Sequence, residues 1–320
     1  MKEIVITSNE CGQRFDKFLR KYLVDMSLGS IYRAIRTKQI TINGRKGSER
    51  YSLNEGDIIK FDIKIEDVKK EKKLDFLNVE YDFQTAFEDD NLLIIEKKPG
   101  VLVHPDEGGE ITLTDEVLAY LYDKGEYNHE KEITFAPSPC NRLDRNTEGL
   151  VIYAKNYETL KGINEIIRDG YLEKYYAALI KGKMKEDLYS AYLIKNEKTN
   201  RVSIKKEYVE GAKEIKTRVF NLDTVGQFSY IEIELITGRS HQIRAHLASL
   251  GNPIIGDTKY GDKKTNGFFK EKFGVRNQML IANKIIFKKC PESLKYMEDR
   301  TISMQIPHLF KKVKYDMLKI

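Results

Sequence analysis

The chain has no tryptophan and only three cysteines, seven prolines and five histidines in 320 residues. Cys11, Cys140 and Cys290 are scattered, form no CxxC pair and have no histidines at ligand spacing. That pattern excludes a disulfide framework and argues against a zinc site. The thiols read as reduced, and Cys140 reads as a small buried hydrophobe rather than a nucleophile. No apolar run approaches the length of a membrane span. The start, Met1-Lys2-Glu3-Ile4-Val5-Ile6, lacks the apolar core of a secretory leader, so a cytoplasmic, non-membrane protein is expected. There is no glycine-rich dinucleotide fingerprint and no P-loop, hence no expected nicotinamide, flavin or other cofactor. No cluster of carboxylates suggests a metal-dependent hydrolase, so no metal is expected. The missing tryptophan excludes little, because 19 tyrosines supply aromatic surface.

What is present is a chain long enough for two domains. It is 41% hydrophobic and 32% charged, as soluble globular proteins are. The formal net charge of +6 is modest, but its placement is uneven. Residues 12 to 60 hold eleven Lys or Arg against five Asp or Glu, which accounts for the whole excess. A local basic patch is the footprint of a polyanion partner.

That segment predicts a short strand at residues 1 to 10, then a helix with Phe15, Phe18, Leu19, Tyr22 and Leu23 as its apolar stripe. A second helix follows Ser27, with Ile31, Ala34 and Ile35 inward. Ile40-Thr41-Ile42-Asn43-Gly44-Arg45 predicts a hairpin turn, and Ile58-Ile59-Lys60-Phe61 a closing strand. Two basic helices, a hairpin and a strand resemble the S-four-type RNA-binding domain named after a ribosomal protein. The likeness rests on Arg14-Phe15-Asp16-Lys17-Phe18-Leu19, Ser27, Ile42-Asn43-Gly44 and Gly56-Asp57. Leu28-Gly29 departs from it where an arginine is common. The resemblance implies phosphate contacts from Arg14, Lys17, Arg33, Arg36, Lys38 and Arg45. Such contacts position a protein on RNA without reading sequence.

Boundaries are expected as residues 1–63 for this small α/β domain, 64–80 for a charged linker, 81–300 for a larger domain and 301–320 for a lysine-rich tail. The larger domain opens with the strand Leu92-Leu93-Ile94-Ile95, a Pro99-Gly100 turn and a second strand over Val101 to Pro105. Helices are expected over Thr114 to Tyr122 and Tyr157 to Arg168. Residues 184 to 226 read as strands and turns without a motif.

Asn141-Arg142-Leu143-Asp144-Arg145-Asn146-Thr147-Glu148-Gly149-Leu150 runs into the apolar strand Val151-Ile152-Tyr153-Ala154. Asp144 sits between two arginines, which would keep it ionised. It therefore reads as a nucleophile, an electrostatic anchor or half of an ordinary ion pair, the commonest case for surface Arg and Asp. Further on, Lys174-Tyr175-Tyr176-Ala177-Ala178-Leu179-Ile180-Lys181-Gly182 predicts a strand, as does Tyr230 to Leu235. Then comes Thr237-Gly238-Arg239-Ser240-His241-Gln242-Ile243-Arg244-Ala245-His246-Leu247. Ser240 is expected to cap a helix with Ile243, Leu247 and Leu250 inward and Gly251 as its stop. Asn252-Pro253-Ile254-Ile255-Gly256-Asp257-Thr258-Lys259-Tyr260-Gly261 completes the block.

Together these stretches resemble the RluA-type pseudouridine synthases, over roughly residues 85 to 290. The arginine-leucine-aspartate stretch matches the family's catalytic motif, with Asn141 where most relatives carry histidine and Glu148 where many carry serine or glycine. The block from Thr237 to Gly261 matches throughout. The resemblance implies an α+β fold: a mixed, mostly antiparallel β-sheet with peripheral helices, beside the small N-terminal domain. It implies an isomerase that converts uridine to pseudouridine in RNA, with Asp144, Tyr176 and Arg244 catalytic. Arg142 would fill the gap left by a flipped base, and Leu280 or Ile281 would lie under the ring. Ile281 replaces the family's usual histidine. Large-subunit ribosomal RNA is the expected partner of a monomeric enzyme. Transfer RNA, or a non-catalytic RNA-binding role in ribosome assembly, is the alternative.

Overall fold

The structure is a computed structural model and describes residues 2–63, 75–105, 108–197 and 199–318. Most of the expected linker, residues 64–74, lies outside the described residues. The chain forms two compact units. One comprises Met1–Asp82 with Thr114–Ser138 and Ala154–Lys161, the other Phe83–Leu113, Pro139–Tyr153 and Gly162–Ile320.

In the first unit β1 (Lys2–Val5), α1 (Phe15–Tyr22), α2 (Leu28–Arg36), β2 (Ile40–Ile42) and β3 (Ile58–Phe61) follow the expected order. Phe15, Phe18, Leu19, Ile31, Ala34 and Ile35 are buried together, as their spacing requires. The Ser27 hydroxyl accepts from the Ser30 amide and caps α2. After β2, Asn43 and Gly44 both take positive φ, 49° and 73°, and Ile42 and Arg45 exchange backbone hydrogen bonds of 2.9 Å. This is the tight turn that Asn-Gly encodes. The pairing partner of β2 is β3, in the antiparallel order β1-β3-β2.

The rest of the chain supplies β4 (Gln84–Glu88), β5 (Leu92–Lys97), α3 (Leu113–Asp123), β6 (Ser138–Pro139), β7 (Glu148–Ala154), α4 (Tyr157–Arg168) and β8 (Leu172–Lys181). It continues with β9 (Asp187–Asn196), β10 (Arg201–Lys205), β11 (Lys213–Val225), β12 (Phe228–Leu235), α5 (Gln242–Ser249), α6 (Lys263–Phe273), β13 (Leu280–Phe287), β14 (Thr301–Ser303) and α7 (His308–Leu318). One large sheet runs β10-β9-β11-β12-β8-β13-β7-β5-β4, with β14 on β13 and β6 on β7. Its registered pairs are antiparallel except β13 with β7, so the sheet is mixed and mostly antiparallel, with helices at its periphery. That is the α+β fold expected from the motifs.

The core packs Leu150 and Ile152 of β7, Ala177 and Leu179 of β8, and Ile281, Ile285 and Phe287 of β13. Ile163, Ile166, Phe269, Phe310, Val313 and Met317 of the helices join them. The segment set apart as a lysine-rich tail thus contains a strand and a helix whose apolar face is core. Val101 to Pro105, expected as a strand, is loop: the chain leaves β5 through Gly100 at φ +93°.

Candidate active site

Asp144 lies in the turn before β7, closed by the Thr147 amide donating to the Asp144 carbonyl at 2.9 Å. The turn is pressed onto the sheet by an unusual contact. Gly149 has φ +141°, and a Cβ there would fall 2.5 Å from both the Cβ and the carbonyl oxygen of Ala282. Only glycine allows β7 to run this close beside β13. On the other edge of β13 lies β8, which carries Tyr176. The register of β13 against β8 shifts between Ile281 and Lys284, opposite Tyr176. Such irregularities re-aim side chains beside active sites.

The carboxylate of Asp144 is not held by its sequence neighbours. Arg142 is exposed and makes no hydrogen bond or ion pair among the described residues, and Arg145 reaches Glu110 at 2.9 Å. The partner is Arg244, one hundred residues away, whose Nη1 donates to Asp144 Oδ2 at 2.7 Å. The remaining edge of the guanidinium is clamped by Asp257: Nε donates to Oδ2 at 2.7 Å and Nη2 to Oδ1 at 3.0 Å. Asp257 is buried, and its Oδ1 also accepts from the backbone amides of Lys259 and Tyr260 at 2.8 and 2.9 Å. Burial works against both charges, yet the hydrogen bonds and mutual attraction outweigh it. The Arg244 pKa is raised and that of Asp257 lowered. The result is a fixed cation with one arm left for Asp144. Oδ1 of Asp144 accepts no hydrogen bond from the described residues, and a quarter of the side chain is open to solvent.

The helix carrying Arg244 does not begin as the sequence suggested. Its N-cap is His241, at φ +52°, with no side-chain cap, rather than Ser240. Buried Gln242 does the fastening: its Oε1 accepts from Thr237 and the Arg239 amide, and its Nε2 donates to the Lys216 carbonyl. Leu250, expected inward, is exposed, because the helix ends before it. His241 Nδ1 lies 2.9 Å from the Tyr260 hydroxyl, which accepts from the Val202 amide.

Tyr176 is buried, and burial followed by the charge of Asp144 pushes its phenol well above the usual tyrosine range. It is therefore a neutral aromatic at neutral pH, not a phenolate base. Leu280 pairs with Ala178 and so shares the parity of Tyr176, whereas Ile281 pairs with Ala177 and packs into the core. Of the two apolar candidates, only Leu280 is on the Tyr176 face.

Sequence reasoning passed over Asp257 and Lys97. Lys97 is fully buried at the end of β5, and its amine donates to the carbonyls of Lys98, Val101 and Arg145 at 2.8, 2.9 and 2.8 Å. It ties the Pro99-Gly100 turn to the Asp144 loop. Burial pulls its pKa down to about 8, with Asp144 and Glu148 acting the other way. A lysine closing an apolar strand was the available signal. Asn141 also has a defined task. Its Nδ2 donates to the Leu150 carbonyl at 3.2 Å and its Oδ1 accepts from the Ile152 amide at 2.8 Å.

In the first unit Lys17, Arg33, Arg36, Lys38 and Arg45 are exposed, and their side chains make no hydrogen bond or ion pair among the described residues. Arg14 is exposed too, but its fork is engaged by buried Asp16 at 3.1 and 2.7 Å, so its charge is largely committed internally. Among the described residues no three His, Cys, Asp or Glu side chains gather as metal ligands. No helix among them is long and apolar enough to cross a membrane.

A carboxylate with one free oxygen, aimed by a clamped arginine beside a buried tyrosine, suits nucleophilic or electrostatic work. Residues 91–249 match the family model described as RNA pseudouridylate synthase. The chain is 33% identical over 288 residues to the ribosomal large subunit pseudouridine synthase C of Buchnera aphidicola subsp. Baizongia pistaciae, covering 88% of each. It is 30% identical to the protein of the same name from Vibrio parahaemolyticus, covering 92% of this chain and 90% of that one. The chain belongs to the RNA pseudouridine synthase family, and so to a family of RNA isomerases. Its fold is also similar to that of human RNA pseudouridylate synthase domain containing 4, with a TM-score of 0.57 and 22% identity over 72% of this chain and 91% of that one.

Proposed function

We propose that this protein isomerises specific uridines of large-subunit ribosomal RNA to pseudouridine. The observation that carries the proposal is the ion pair of Arg244 with Asp144, which leaves Asp144 Oδ1 open beside Tyr176. The reaction breaks the bond from N1 of uracil to C1′ of ribose, turns the base, joins C5 to C1′ and releases the C5 proton. Electrons are neither gained nor lost, so the chemistry needs charge stabilisation and positioning. Asp144 acts at the sugar, by attack on C1′ or by stabilising its positive charge. Arg244 keeps that carboxylate aimed, and Asp257 keeps Arg244 in place.

A uridine within a helix must first be turned out, at a cost of a few kcal/mol, roughly. Exposed Arg142 is suited to the gap left behind. Tyr176 stacks on the base and donates a hydrogen bond, and Leu280 completes the apolar floor. Residues 1–63 act as an S-four-type RNA-binding domain, joined through residues 64–80 to the catalytic domain. Lys17, Arg33, Arg36, Lys38 and Arg45 contact phosphates there, and Arg14 serves mainly to hold Asp16. The relatives named for the large ribosomal subunit favour that substrate over transfer RNA. Such an enzyme works as a cytoplasmic monomer without metal or cofactor.

The test is pseudouridine mapping of total RNA from cells with and without the gene, complemented by wild type or by Asp144→Ala. Ribosomal sites that are lost on deletion, return with wild type and stay absent with Asp144→Ala are the expected result. Sites confined to transfer RNA would move the substrate, and no changed site in any RNA would make the protein a non-catalytic RNA-binding factor.

A further inference from the structure

Lys174 stands two residues before Tyr176 on β8 and therefore shares its face of the strand. Its side chain is partly buried, and its amine lies 3.8 Å from where a Cβ would sit on Gly238. Gly238 opens the loop that leads to His241 and Arg244. The Lys174 amine makes no hydrogen bond or ion pair among the described residues, and burial pulls it below the usual lysine range. The neighbouring carboxylates are committed elsewhere. Glu173 takes the Tyr175 hydroxyl at 3.0 Å and Lys288 at 3.7 Å. Glu232 takes Lys284 at 2.9 Å, and Glu234 takes Arg218 at 3.3 Å. Lys284 in turn covers the Tyr175 ring at 4.2 Å.

A half-buried cation with no counter-charge in the free protein keeps its hydrogen-bonding capacity for an anion that docks beside it. Its position beside the catalytic tyrosine, against a glycine that leaves the backbone open, specifies where that anion would be. We infer that Lys174 binds a backbone phosphate of the substrate RNA next to the flipped uridine, making the nucleotide and not only the base a determinant of binding. The inference rests on the pseudouridine synthase function proposed for this site. Lys174 is then a binding residue for the nucleotide backbone.

The experiment compares wild type, Lys174→Met and Lys174→Arg in steady-state turnover of in vitro transcribed large-subunit ribosomal RNA across a salt series, with thermal unfolding of each protein. Removing a charge-assisted hydrogen bond to phosphate at this point should raise KM about tenfold or more in Lys174→Met, with kcat changed far less. The salt dependence of log KM should flatten by roughly 0.7 to 0.9, the increment for one phosphate. Lys174→Arg should recover most of the loss. Lys174→Met should unfold within about 2 °C of wild type, because the half-buried amine holds no partner in the free protein. A structural role would instead lower that temperature and leave the salt slope alone, which would overturn the inference. Unchanged KM and slope in an active Lys174→Met protein would also overturn it while sparing the enzyme assignment. If wild type turns over no RNA, the function itself fails and this inference falls with it.

Discussion

Replacing Asp257 by asparagine tests the clamp on Arg244 with the smallest change in volume. Asp257 accepts four hydrogen bonds: Nε and Nη2 of Arg244 and the amides of Lys259 and Tyr260. Asparagine has one acceptor oxygen. If that oxygen keeps the Oδ1 place and its three donors, the new amide meets Arg244 Nε donor against donor. The reverse orientation loses three bonds. Either way a buried pair is broken, which costs about 3–5 kcal/mol. For a domain of this size each kcal/mol shifts Tm by roughly 2–4 °C, so a fall of about 6 °C or more is expected. Arg244 remains charged, and Asp144 becomes its only carboxylate partner. The freed fork can swing, and misplacement of a catalytic group by about 1 Å can cost some hundredfold in rate. The predicted signature is a lower Tm with kcat falling much more than KM rises, measured by calorimetry and by turnover of large-subunit ribosomal RNA. An Asp257→Asn protein with wild-type Tm and kcat would show that Asp257 neither stabilises the fold nor aims Arg244.

Further outcomes follow from other parts of the molecule. Gly149→Ala should destabilise strongly, by about 3 kcal/mol or more, because overpacking against Ala282 adds to an unfavourable φ; a Tm within about 2 °C of wild type would contradict the close approach of β7 and β13. His246 is buried, and burial pulls its pKa from 6.5 to about 4. Its folded pKa lies below the unfolded one, so its contribution is whole above about pH 6.5 and is lost as pH falls toward 4. That amounts to about 3 kcal/mol. Denaturant titrations at pH 7 and pH 4.5 should show a larger loss in wild type than in His246→Gln. Replacing Arg33, Arg36 and Lys38 by glutamine should lower the salt slope of RNA binding by roughly 0.7 to 0.9 for each phosphate no longer neutralised; an unchanged slope would remove them from the RNA-binding surface.

The elements near the site were readable because their periodicity is strong. Phe15, Phe18 and Leu19, or Ile31, Ala34 and Ile35, mark helix faces that tertiary packing did not override. Asp144, Tyr176 and Arg244 were legible only through motifs, since nothing local says that residues so far apart will meet. The local reading of Asp144 even pointed to the wrong arginines: guanidiniums adjacent in sequence turn outward or to Glu110, and the partner arrives from α5. Asp257 was invisible for a related reason. A Gly-Asp pair in a turn looks the same whether its carboxylate faces water or a buried guanidinium. Phe310, Val313 and Met317 carried a helical spacing that the surrounding lysines masked, and counting apolar intervals instead of charges would have shown it. Ser240 looked like a cap because short polar side chains usually are, but Gln242 reaches more backbone groups from inside the helix.

Asn141 bears on how this site tolerates sequence drift. Its side chain answers one carbonyl and one amide of β7, acting as an extra peptide group at the margin of the sheet. That task needs one donor and one acceptor, and a neutral imidazole offers the same two functions. Histidine and asparagine are then alternative solutions to a single hydrogen-bonding problem, set by the backbone of β7 rather than by the Asp144 carboxylate.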